Sequence, residues 1–131
     1  MPLLVRQSNT ARVTEQYKSH DVVVWWVTPL EIASALARLL RTGTISTDEF
    51  AKGRKLANAL FASWAVIAPS DAVRATAMHL VERYDLRAAD SLQLAAAFRW
   101  CGEVPQQRIF LSGDQKLHDA ALLTGFDAKR V

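Results

Sequence analysis

A chain of 131 residues has the usual size of one domain and is long enough to bury a core of its own. Half of its residues are hydrophobic and 22% are charged, which excludes a disordered or fibrous chain. The formal net charge of +3 permits a nucleic-acid partner without arguing for one, because dedicated binders concentrate basic residues on one face. The longest apolar runs, such as Val22 to Val27, fall far short of the roughly 20 residues of a membrane span. No basic segment leading into an apolar stretch and a cleavage site opens the chain, so a cytoplasmic protein is expected. The lone Cys101 has no partner for an internal disulfide and reads as a small apolar packer near a helix end.

The run Asp21-Val-Val-Val-Trp-Trp-Val27 is β-branched and aromatic, as in a buried strand. It meets Thr28-Pro29, where Thr can cap a helix and Pro fits its first position. Leu30, Ala33, Ala37 and Leu40 recur at helical spacing, and Gly43 is placed to stop that helix. Ser46 or Thr47 can cap the next helix, with Phe50, Ala57, Leu60 and Phe61 as its stripe. Trp64 to Ala68 reads as a second strand closed by Pro69, and Ser70 caps a third helix with Val73, Ala77, Leu80, Val81 and Tyr84 on one face. Ala88 to Trp100 is almost wholly apolar after Asp90-Ser91, as in a helix covered on several sides. Arg108 to Ser112 reads as a third strand, Asp114 to Thr124 as a last helix ending at Gly125, and a short final strand follows through Val131. No repeat, low-complexity tract or Gly/Ser linker divides residues 1–131, so a single domain is expected. Strands alternating with helices predict an α/β fold with a mainly parallel sheet flanked by helices, and ligands outside the carboxyl ends of the strands.

Three acids stand out by position. Glu31 follows the first strand, Asp114 follows the third, and Asp90 opens an otherwise apolar helix, where an unpaired charge is costly to bury. Each also has a structural reading: Thr28-Pro-Leu-Glu31 as a capping box, Asp114 as an N-cap, Asp90 as a first-turn acid favoured by the helix dipole. His118-Asp119 resembles a metal dyad, but adjacent helical residues point apart, and His20 and His79 have no ligand spacing around them. Phosphate loop, nucleophile elbow and zinc-type Cys/His cluster are all absent, so nucleophilic Ser or Cys catalysis has no support. The basic cluster Lys52, Arg54 and Lys55, with Arg38 and Arg41, fits a solvated helix face or phosphate contacts. Trp25, Trp26, Trp64 and Trp100 read as packers rather than base-stacking platforms.

Taken in order, the segments around these acids resemble the PIN-domain family. Thr28-Pro-Leu-Glu-Ile-Ala-Ser-Ala-Leu36 looks like its second acidic motif, Leu86-Arg-Ala-Ala-Asp-Ser-Leu-Gln-Leu-Ala-Ala-Ala97 like its third, and Phe110-Leu-Ser-Gly-Asp114 with Gln115 to Ala121 like its fourth. The likeness spans essentially the whole chain and is closest to the toxins of bacterial VapBC-type toxin–antitoxin pairs. It implies a PIN-like three-layer fold and a magnesium- or manganese-dependent endoribonuclease that hydrolyses RNA phosphodiester bonds. Glu31, Asp90 and Asp114 would hold the metal, and Ser112 would assist near the scissile phosphate. A cognate antitoxin protein and a homodimer are further expectations by family analogy.

Hard divalent cations take carboxylate oxygens, and a bound cation can activate a water and neutralise phosphate charge. Without one, two carboxylates about 4 Å apart repel by about 4 kcal/mol at an effective dielectric of 20.

The departure is at the front. The family opens with a central strand ending in aspartate, whereas Met1-Pro-Leu-Leu-Val5 already looks like the helix that follows it, and the acids before Glu31 are Glu15, in a helical segment, and Asp21. The expectation is an N-terminally truncated chain whose true start lies upstream; the other explanation is a real variant lacking one metal ligand. Activity of the chain as written depends on which holds, and the alternative function is a catalytically inactive PIN-like module that binds RNA or protein.

Overall fold

The computed structural model describes residues 22–131; the expectations for Met1 to Val5, Glu15, His20 and Asp21 lie outside them. In chain order the described residues form β1 (Val23–Trp25), α1 (Thr28–Arg41), α2 (Thr47–Ser63), β2 (Ala65–Ile67), α3 (Asp71–Arg83), α4 (Ala88–Trp100), β3 (Ile109–Ser112), α5 (Gln115–Thr124) and β4 (Asp127–Arg130). They fall into two compact units, the first ending at Val66 and the second running Ile67–Val131.

In the first unit, α1 packs on α2. Ile32, Leu36 and Ala57 close over Val24 and Trp64, with Phe50, Leu60 and Phe61 packed around them, so the predicted α2 stripe is the buried one. Gly53 makes this approach possible, since a Cβ there would lie 3.2 Å from Leu36 Cδ2. The start of α2 is a complete capping box: Ser46 Oγ accepts from the Glu49 N–H at 3.1 Å and Glu49 Oε1 from the Ser46 N–H at 2.9 Å. That hydrogen bond holds the Glu49 carboxyl below its ordinary value of 4.5.

The start of α1 differs from expectation. Thr28 is not a cap but the first helical residue, buried against the core, and Val27 occupies the cap position with no side-chain hydrogen bond. The reason is local: Val27 already has helical backbone angles and its carbonyl accepts the Glu31 N–H at 3.0 Å, which starts the helix one residue early. The Thr28–Glu31 capping box is therefore not formed.

The second unit is built on small residues. α3 and α4 make its most extensive pairing, with Ala77, Ala95 and Ala96 buried, and the fully buried Ser91 hydroxyl donates to the Ala77 carbonyl at 2.6 Å. Val81, expected on the buried stripe of α3, is exposed instead. It lies about 100° around the helix from Leu80, outside the face set by Val73, Ala77 and Leu80.

β3 and β4 pair in parallel from Ile109↔Asp127 to Ser112↔Arg130. A parallel pair needs a crossover, and α5 supplies it. The Phe110 and Phe126 rings pack at 5.4 Å between centroids. α5 ends at Gly125 in the left-handed conformation (φ +117°), as the sequence predicted.

The class is α/β, as expected, but the strands do not form one sheet among the described residues. β1 pairs with β2, and β3 with β4, as separate two-stranded ladders. None of the described helices is long and apolar enough to cross a membrane.

Gly125→Ala is expected to destabilise the chain by about 1–3 kcal/mol, because Ala pays for positive φ and its Cβ would lie 3.0 Å from Pro105 Cγ. A urea titration that leaves the midpoint unchanged would contradict this account of the α5 terminus.

A charged corner at the carboxyl end of β3

The end of β3 turns sharply into α5. Ser112 is buried, and its hydroxyl accepts the Asp114 N–H at 3.0 Å and lies 3.2 Å from the Asp114 carbonyl, to which it donates. Asp114 is the N-cap of α5: its Oδ2 accepts the Leu117 N–H at 2.9 Å. Arg130, opposite Ser112 in the ladder, donates to the Gly113 carbonyl at 3.1 Å and to the Gln115 side chain. The turn is thus fixed from both sides, and the Asp114 carboxylate stands at a defined place.

Asp90 sits in the first turn of α4. Its carboxylate is only 15% exposed and is met by Arg87 Nε at 3.4 Å. Lys116, in the first turn of α5, pairs with Asp85 at 2.7 Å. Its ammonium is held above its ordinary value of 10.5, chiefly by the Asp85 hydrogen bond and charge, with Asp114 adding in the same direction and Arg87 opposing. Lys116 therefore lies within electrostatic reach of both Asp114 and Arg87. The Lys116–Asp85 bond thus ties the first turn of α5 to the segment that leads into α4, the helix whose first turn carries Asp90.

Glu31 belongs to the first unit, where it is exposed near the start of α1. No group of three His, Cys, Asp or Glu side chains that could hold a metal ion occurs among the described residues. His118 and Asp119 do diverge: Asp119 accepts from Gln115 at 2.6 Å, while His118 Nδ1 is buried without a hydrogen-bond partner among the described residues. His79 is exposed on α3. Arg38, Arg41, Lys52, Arg54 and Lys55 are all exposed, and Arg54 lies over the Phe50 ring. Trp25 and Trp64 are core residues, whereas Trp26 and Trp100 are half exposed, the latter beneath Arg108. Cys101 ends α4, and its thiol donates to the Phe98 carbonyl at 3.3 Å.

The sequence reading named the acids but missed their basic partners. The Arg87–Asp90 spacing of three residues was a usable signal; the Lys116–Asp85 and Arg130–Gly113 contacts, which join distant segments, left none.

No protein-family model matches this chain, and no curated protein matches it either.

The Lys116 ammonium titrates higher in the folded chain than in the unfolded one, so its stabilisation is complete below pH 10.5 and is lost as pH rises through the raised folded value. The gap in melting temperature between the wild type and Lys116→Met should therefore be constant at neutral pH and narrow in the alkaline limb. A gap that widens with alkalinity would contradict the pairing.

Proposed function

We propose that this chain is a PIN-like, divalent-metal-dependent endoribonuclease, the toxin of a toxin–antitoxin pair, in which Asp90 and Asp114 hold magnesium or manganese. What supports the reading is the turn at the carboxyl end of β3, where Asp114 caps α5, together with the Lys116–Asp85 bond that ties this helix start to the segment leading into α4 and its first-turn Asp90. Both acids offer oxygen donors of the kind hard cations take, and such cations need only one or two protein carboxylates because they keep several waters. One Asp114 oxygen accepts the Leu117 N–H and one Asp90 oxygen accepts from Arg87 Nε, so among the described residues each keeps a second oxygen for a cation. When bound, the cation would lower the pKa of a coordinated water and neutralise phosphate charge. The chain's own residues do the positioning: Ser112 and Arg130 fix the turn that carries Asp114, and Arg87 holds Asp90. Ser112, with its hydroxyl committed to that turn, contributes to the substrate site through the placement of Asp114.

Partners follow from the same reading: an RNA substrate, a cognate antitoxin protein and a second copy of the chain as a homodimer.

A second reading, a non-catalytic PIN-like module that binds RNA or protein, is favoured by one observation. The Asp114 cap and the Asp90–Arg87 pair already give both acids structural roles.

The deciding measurement is manganese-dependent cleavage of RNA by this chain and by a version carrying a PIN-type first strand that ends in aspartate. In whichever protein cleaves, Asp90→Asn and Asp114→Asn should each lower the rate on the order of 10²–10³-fold, the scale of losing one preorganised charge-stabilising group. Cleavage undiminished in Asp90→Asn would remove the assigned site. Calorimetry separates the second reading, which requires that manganese bind the wild type no more tightly than Asp90→Asn.

A further inference from the structure

Five ion pairs occur among the described residues, and four of them join carboxylates that are more than half exposed: Asp71, Asp85, Glu103 and Asp127. Such pairs add little, because water screens them. Arg87–Asp90 is different. The carboxylate is 15% exposed while the arginine side chain is 84% exposed, so the acid is shielded and its cation stands outside.

The contact is also made from one particular atom. Arg87 meets Asp90 through Nε, and its two terminal nitrogens make no hydrogen bond among the described residues. A guanidinium gripped at Nε keeps the terminal pair of nitrogens as a fork, the geometry that matches two oxygens of a phosphate. Lys116 adds a second cation within electrostatic reach.

We propose that Arg87 is the phosphate-binding residue of this corner: Asp90 grips its Nε, and the pre-oriented terminal nitrogens take the two non-bridging oxygens of an RNA phosphodiester. The proposal rests on the nuclease reading for its substrate class, yet it involves binding alone and needs no cation. Asp90 then acts on RNA through Arg87, as a positioning residue. Because the fork is held before the phosphate arrives, less side-chain freedom is lost on binding than for a free arginine.

The test measures binding of a labelled single-stranded RNA oligonucleotide to the full chain, without divalent metal, across a range of salt concentrations. Arg87→Ala should weaken binding about tenfold and reduce the salt slope by about 0.7, the value of one lost contact to a single strand. Arg87→Lys should keep the slope yet recover only part of the affinity, since an ammonium has no fork. Arg74→Ala, which removes an equal charge from a pair whose carboxylate is exposed, should change affinity less than Arg87→Ala.

Asp90→Asn discriminates most sharply. Removing a negative charge should strengthen RNA binding if charge alone matters, but should weaken it if the carboxylate aims the fork. Tighter binding by Asp90→Asn, equal losses in Arg87→Ala and Arg74→Ala, or no RNA binding by the wild type would overturn the proposal. Its failure is distinct from that of the nuclease reading. Cleavage with unchanged Arg87→Ala binding removes only the phosphate role, and Arg87-dependent binding without cleavage removes only the nuclease.

Discussion

The turn from Ser112 to Asp114 is the constraint on which the second unit's chemistry depends. Parallel pairing of β3 with β4 obliges the chain to leave the ladder and return, and the exit must satisfy the first amide groups of α5. Asp114 satisfies the Leu117 amide, and the buried Ser112 hydroxyl satisfies the amide of Asp114 itself. Arg130 returns on β4 to hold Gly113 and Gln115 from the other side. A carboxylate bonded at one oxygen on a turn fixed in this way loses little further freedom when it engages a ligand.

The same economy of charge governs the start of α4. Its later turns bury Leu94, Ala95 and Ala96 completely, so an acid at position 90 sits at the edge of apolar surroundings. Arg87, at the cap position of α4, supplies the compensating charge from one turn away. The dipole of the helix start adds to this, since its positive end favours an anion. Lys116 is shared between Asp85 and Asp114 in much the same way at the start of α5.

Much of this fold was legible in the residues, for identifiable reasons. Hydroxyl caps at Ser46 and Ser70, the capping acid Asp114 and the stop at Gly125 act within a few residues of the backbone groups they satisfy, so spacing alone locates them. The buried faces of α2 and α3 follow from periodicity, up to the edge of the stripe, where Val81 falls outside. What failed depended on tertiary placement. Thr28 has the chemistry of a cap, but it is buried as the first residue of the helix and Val27 takes the cap position. Strand pairing was the weakest inference, because a short apolar run does not specify its neighbour. Of the proposed site, the acids were readable from their places at helix starts; the Lys116–Asp85 tie was not, because the two residues lie in separate segments.

The electrostatics of the corner also argue against treating its structural and functional readings as rivals. Asp85 is balanced by Lys116, Asp90 by Arg87, and Asp114 by the amides and positive end of α5. Each acid is thereby stable without a bound cation, which a cluster of unpaired carboxylates would not be. Yet the balance is made with exposed side chains: Arg87 and Lys116 are 84% and 68% exposed, and a surface ion pair contributes at most about 1 kcal/mol. Arg87 keeps its terminal nitrogens open to a ligand while its Nε stays paired with Asp90, and the hydrogen bonds of the buried Ser112 hold the neighbouring backbone in place. The second unit therefore combines a rigid turn with cations that face solvent, the combination a site for an anionic ligand requires.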